Sequence, residues 1–227
     1  MDANATGSGI ARTVVPRGNW VASLQRFAKT PPAARHTATE LCELCAAPIA
    51  PRHQHLVEPN EGRMLCVCRN CALLLGHRRD GKFRAVPERG RILADFRLGD
   101  ADWDSLGIPI GLAFFFQSTP QGRVLAFYPG SAGPTESLLK LDTWSQIVAD
   151  NPELAGLAPD VEALLVNRIN GARDYYCAPI DRCYALTGLI RSHWRGISGG
   201  ARAWQAIDRF FAELDEDCGR PAKVRHG

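Results

Sequence analysis

Apolar positions change their period several times along this chain, and each change predicts a different element. Trp20, Leu24 and Phe27 recur at helical spacing, which predicts a short amphipathic helix over 19–29. The small, polar residues before it (1–18) read as a disordered tail, and the segment 30–39, with Pro31-Pro32, reads as a linker. From 40 to 76 no single period holds. Alternation returns at 82–86, a strand ended by Pro87, and Asp100 is placed to cap a short helix through Trp103 and Leu106.

The second half is richer in regular pattern. Residues 110–118 contain Phe114-Phe115-Phe116, a run expected of a buried strand. Thr119-Pro120-Gln121-Gly122 reads as a turn, followed by a returning strand at 123–128 and a third strand at 137–141. Asp142 opens a helix carrying Trp144, Ile147 and Val148, which stops at Asn151-Pro152. Strands at 161–169 and 173–178 are joined through Asn170-Gly171, a strong hairpin signal. Asp181 opens a helix through Trp194, which Gly196, Gly199 and Gly200 break. A final amphipathic helix at 201–214 bears Trp204, Ile207, Phe210 and Phe211. Hairpins followed by helices, without strict alternation, predict an α+β domain built on an antiparallel sheet.

The aperiodic stretch carries the chemistry. Cys42-Glu43-Leu44-Cys45 and Cys68-Arg69-Asn70-Cys71 are two C-x-x-C pairs with 22 residues between them. One turn of this kind presents two thiolates along one edge of a tetrahedron, and two facing turns close a four-sulfur shell around Zn2+. The intervening segment must then run out and back as a hairpin, with a turn at Glu61-Gly62. The helix-forming run Ala72-Leu73-Leu74-Leu75 places the second pair at a helix start. The expected fold is thus an N-terminal four-cysteine zinc finger, treble-clef or ribbon-like, followed by an antiparallel-sheet domain with C-terminal helices. Its divisions are a tail, helix and linker at 1–39, a metal module at 40–90, an α+β domain at 91–217 and a tail at 218–227.

Iron accepts the same four thiolates, so a rubredoxin-like electron-transfer centre is the alternative metal site. It usually has Pro and Gly beside its second pair, where this chain has Cys-Arg-Asn-Cys-Ala. Duplication of the pair argues against a thioredoxin-like redox site. Cys66 precedes Cys68 by two positions and is a substitute ligand, while His53 and His55 lie in the connecting segment. The plainer reading makes Cys66 a small buried residue and both histidines solvated.

The N-terminus lacks an apolar signal region, and no apolar run approaches the roughly 20 residues that cross a bilayer. A soluble, cytoplasmic protein in a reducing compartment follows, in which eight cysteines are not expected to form lasting disulfides. The net charge of +3 is uneven: residues 1–91 hold 14 Lys and Arg against 7 Asp and Glu, the remainder 13 against 17. The excess gathers at His77-Arg78-Arg79, Lys82, Arg84, Arg89 and Arg91. A basic stripe beside a finger raises nucleic-acid binding as a further alternative, but Phe83 is its one stacking aromatic.

No phosphate loop, nucleophile elbow or H-E-x-x-H motif is present. The glycines at 196–200 are read as a helix-to-helix turn. Cys183, near a helix start, is a conceivable nucleophile, although packing is the better reading for it and for Cys177. Cys218 is assigned no role. Arg191, His193 and Arg195 read as solvated beside a buried Trp194, and Asp215-Glu216-Asp217 reads as surface charge.

Five segments together carry a family likeness. They are Cys-Glu-Leu-Cys (42–45), Leu-Cys-Val-Cys-Arg-Asn-Cys-Ala (65–72), Ile-Pro-Ile-Gly-Leu-Ala-Phe-Phe-Phe (108–116), Pro-Ile-Asp-Arg-Cys-Tyr (179–184) and His-Trp-Arg-Gly-Ile-Ser-Gly-Gly (193–200). Over roughly 20–215 the chain resembles an uncharacterised bacterial family whose genes often accompany those of high-affinity nickel-iron uptake hydrogenases. The resemblance implies an accessory role in hydrogenase maturation, assembly or electron delivery. The reading is of a non-enzymatic zinc-binding adaptor whose ligands are Cys42, Cys45, Cys68 and Cys71. Its partner is a hydrogenase subunit or maturation factor, met through the C-terminal domain, with nucleic acid kept only as the alternative and no membrane.

Overall fold

A computed structural model describes residues 40–78, 80–130, 133–137, 141–196 and 199–220, without the side chains of 141 and 142. The helix and linker expected within 19–39 lie outside the described residues, as does the end of the 218–227 tail. The described residues form helices and antiparallel sheets, the α+β architecture that the patterning predicts.

A small sheet comes first. Strands β1 (Gln54–Glu58) and β2 (Arg63–Val67) form a hairpin with Gln54 opposite Val67 and Glu58 opposite Arg63. Its turn is a short 3-10 segment, Pro59–Glu61, closed by Gly62 at φ 58°, a left-handed conformation that glycine adopts without a Cβ clash. Helix α1 (Arg69–Leu75) follows directly, and the short strand β3 (Arg84–Ala85) pairs on the other side of β1. The alternation over 82–86 therefore yields only two paired residues. Gly76 ends α1 against β3, where a Cβ would meet that of Ala85 at 2.6 Å, so this close approach requires glycine.

The larger sheet has six strands in the order β4-β9-β8-β5-β6-β7, every pairing antiparallel. They are β4 (Arg91–Ile92), β5 (Leu112–Ser118), β6 (Arg123–Gly130), β7 (Gly133–Ser137), β8 (Glu162–Asn167) and β9 (Asp174–Pro179). Successive residues on its central strands face opposite cores. Phe114, Leu165 and Tyr176 pack with helices α4 (Ile180–His193) and α5 (Gly200–Asp217), which supply Leu186, Ile190, Ile207 and Phe211. Phe115, Leu164 and Cys177 pack on the other face with Trp103 of α2 (Asp100–Ser105) and Ile147 of α3 (Leu141–Asp150). Both faces are covered, which is why β8 and β9 read as continuous apolar runs rather than clean alternation.

Several boundaries differ from expectation. The third strand, expected over 137–141, is β7 at Gly133–Ser137, and Leu141 already belongs to α3. Pro134 hides it in the sequence, but β7 is an edge strand, where a missing N–H costs no ladder bond. The β8–β9 hairpin forms, yet its connection holds a 3-10 turn, Ile169–Gly171, with Asn170 at φ 52°. Gly99, not Asp100, is the N-cap of α2. Asp100 instead accepts from Arg168 and, at 2.6 Å, from Arg173. Asn151 ends α3 as a clamp: its amide donates to the carbonyls of Arg97 and Ile147 at 2.8 Å, and its oxygen accepts from the Arg97 N–H at 2.6 Å.

The acidic run at 215–217 is not simple surface charge. Asp215 is buried and accepts from the Tyr176 hydroxyl at 3.0 Å, with Arg220 3.6 Å away, and Asp217 pairs with Arg52 and Arg182. Trp194 is half-buried, in an edge-on contact with Trp204.

Candidate metal centre

The hairpin and helix that follow the first cysteine pair bring the second pair back to it. Cys42 begins a tight knuckle in which its carbonyl accepts from the Ala46 N–H and its N–H donates to the Ala47 carbonyl, both at 2.8 Å. Ala46 sits at φ 58°, a turn conformation that costs a non-glycine residue roughly 1 kcal/mol. The Glu43 N–H donates to the Cys66 carbonyl at 3.0 Å, which ties the knuckle to the end of β2. Cys68 is the N-cap of α1, and Cys71 lies in its first turn. Knuckle, hairpin and helix-borne pair follow one another in the treble-clef order.

The sulfurs of Cys42, Cys45, Cys68 and Cys71 all lie within 4.8 Å of one another, and Cys45 Sγ stands 3.7 Å from Cys68 Sγ. That is far beyond a disulfide bond of about 2.05 Å. It matches the sulfur–sulfur edge, about 3.8 Å, of a tetrahedron with Zn–S arms of about 2.3 Å. The donor set is therefore suited in chemistry and spacing to hold a metal ion.

Electrostatics point the same way. Burial opposes ionisation of Cys42, but the amides of Cys68, Leu44 and Cys45 outweigh it and hold this thiol down at about 6. Burial, then the neighbouring sulfurs of Cys45, Cys68 and Cys42, push Cys71 up to about 12. The Cys42 thiolate forms readily and Cys71 resists following it, because negative charges at this spacing need a cation between them.

A second group converges beside the first. His55 on β1 and Cys66 on β2 are direct cross-strand partners, and His53, just before the strand, brings its ring to 4.8 Å from that of His55. One ligand atom from each lies within 4.8 Å of the others. The expectation of two solvated histidines is thus corrected: only 10% of the His53 side chain and 22% of the His55 side chain is exposed. His55 Nδ1 lies 2.9 Å from Asp181 Oδ2, and His53 Nδ1 lies 2.9 Å from the Ala50 carbonyl. Burial, with Glu40 and Glu43 nearby, pushes the Cys66 thiol up, the opposite of an activated nucleophile. A cavity of about 920 Å³ adjoins both histidines and extends to Arg89, Asp181 and Tyr184. The cue in the sequence is H-x-H at the start of a strand, but the partner cysteine is set by hairpin register, which no spacing rule supplies.

The remaining chemistry-bearing residues do not join a site. Cys183 is fully buried with its thiol pushed well up by desolvation, and Cys177 is buried and donates to Glu162 at 3.2 Å. Packing is the role the structure gives both. Three members of the basic stripe are engaged within the fold. Lys82 pairs with the buried Glu58 at 2.7 Å, Arg84 donates to the Gly81 carbonyl at 2.8 Å, and Arg91 pairs with Glu162 at 3.4 Å. The glycine segment at 196–200 lies partly outside the described residues. No helix among the described residues is long and apolar enough to cross a membrane.

Both the cysteine module and the larger sheet fall within one family. The match to DUF5947, a family of unknown function, spans residues 41–218, and the chain belongs to that family. No curated protein and no solved structure matches it.

Proposed function

We propose that this protein is a non-enzymatic accessory or adaptor whose Cys42, Cys45, Cys68 and Cys71 hold a structural Zn2+, and that it serves nickel-iron hydrogenase maturation or assembly in the cytoplasm. The zinc part rests on one observation, the tetrahedral spacing of four converging sulfurs. A shell of four thiolates leaves no open position for water or substrate, so the ion staples the fold rather than performing chemistry. Zinc is favoured over iron because neither Pro nor Gly stands beside the second pair. The hydrogenase part rests on the family resemblance of the motifs quoted above.

The partner surface is better assigned to the metal module than to the C-terminal domain. Among the described residues five large apolar side chains are strongly exposed, and four of them, Leu41, Leu44, Leu73 and Leu74, belong to the knuckle and α1. Exposed leucines on a small, rigid finger suit a protein partner. The occupied Lys82, Arg84 and Arg91 leave nucleic acid the weaker reading.

Elemental analysis and a visible spectrum of the purified protein test the metal. Colourless protein with zinc bound is expected, and a ferric–thiolate absorption would transfer the site to electron transfer. Affinity capture with hydrogenase subunits tests the role. Capture that weakens when Leu73 and Leu74 are changed to Ser is expected. Failure to retain any subunit, with hydrogenase activity unchanged on gene deletion, would refute the adaptor reading.

A further inference from the structure

We propose that His53, His55 and Cys66 form a second, open metal site that takes a borderline divalent ion of the Zn2+, Co2+ or Ni2+ class. The site is separate from the four-thiolate centre and does not depend on it for ligands. Three observations carry it. First, the hairpin register makes His55 and Cys66 neighbours and the His53 ring packs on that of His55, so three ligand atoms fall within 4.8 Å. A tetrahedral ion with arms of about 2.0–2.3 Å needs donors about 3.3–3.8 Å apart, so only a small closure separates this arrangement from ligation.

Second, the Nδ1 of each ring is already engaged. His55 Nδ1 faces the Asp181 carboxylate and His53 Nδ1 faces the Ala50 carbonyl, both at 2.9 Å. Each ring therefore donates from Nδ1 and keeps the lone pair of Nε2 for a ligand. A carboxylate or carbonyl behind the imidazole is the usual support of a metal-bound histidine. Third, His53 Nε2 is sealed from solvent and has no hydrogen-bond partner, on a side chain nine-tenths buried. An orphaned buried nitrogen carries a desolvation cost, and an ion at this point removes it.

The alternative use of the same atoms is a Cys66–His55–Asp181 thiol catalyst. It leaves His53, whose sealed Nε2 points to a ligand, without a role. With three protein ligands the ion keeps an open coordination position, and the cavity beside it is lined by His53 and His55. Such a site suits loading and release of a metal, in contrast to the closed shell beside it.

Titration of metal-free, reduced full-length protein with Co2+ tests this, read by absorption and by equivalents bound. Two equivalents are expected. His53→Ala and Cys66→Ser should each remove one and leave the four-sulfur charge-transfer bands in place, and Asp181→Asn, which removes the carboxylate behind His55 and keeps an oxygen for the Arg182 N–H, should weaken the second equivalent about 10–100-fold. A single equivalent that Cys68→Ser abolishes and His53→Ala spares overturns the proposal. So does a second equivalent that survives His53→Ala and Cys66→Ser combined. One equivalent lost in His53→Ala but kept in Cys68→Ser would support this site while removing the four-thiolate one.

Discussion

The cysteine module and the six-stranded body obey the same packing rules with very different resources. The module's own core is Cys42, Ile49, Leu56, Leu65, Val67 and Ala72, so one of its six fully packed residues is itself a proposed ligand. The body closes two cores, one on each face of its sheet, with Phe114, Tyr176 and Phe211 on one side and Phe115 and Trp103 on the other. At about 25 cal/mol per Å² of apolar surface buried, the module's six core residues contribute far less than the body's two cores. On the proposed reading an ion supplies what this small core does not, alongside Val57 and Val86 of the module, which pack into the body's first core.

The comparison breaks most sharply at the metal. Cys68→Ser, or a strong chelator, should abolish amide-exchange protection in β1, β2 and α1 while the six-stranded sheet keeps its own, because binding of a structural zinc carries about 10–16 kcal/mol of apparent folding energy. Equal loss of protection in both regions would show that they fold as one unit. Next in size is Phe115→Ala, which empties a site in the second core where the ring stacks on Trp144 at 5.2 Å. A loss of about 3–5 kcal/mol in denaturant unfolding is expected, with metal content unchanged.

The smallest effect concerns the module's charges. Lys82 and then Arg63 hold the Glu58 carboxyl below its ordinary value, although its burial pulls the other way. A depressed folded pKa stabilises above the unfolded value of about 4.3, and that contribution fades as pH falls through the folded value. Glu58→Gln should therefore lower the melting temperature slightly at pH 7 and flatten its decline below about pH 4.5. An unchanged acid limb would show that the pair contributes nothing.

The sheet-and-helix order of the body was legible because its strands carry long apolar runs and its turns carry Pro, Gly and Asn where φ is restricted. Thr119-Pro120-Gln121-Gly122 does connect β5 to β6, and Asn151-Pro152 does end α3. The edge strand β7 was hidden by Pro134, and Asp215 read as surface because nothing local shows that Tyr176, 39 positions earlier, reaches it. Convergence of the four cysteines could be read directly, since two knuckles have few other ways to satisfy their sulfurs. The histidine cluster could not, because it depends on which residue of β2 faces which residue of β1.

That pairing gives the hairpin an unusual sensitivity to length. Strand side chains alternate, so inserting one residue inside β1 or β2 would turn His55 away from Cys66 and carry Cys68 off its station at the same stroke. An insertion in the 59–62 bend, by contrast, would leave both strands in step. Family members should therefore vary freely in the bend and hold the strand lengths fixed.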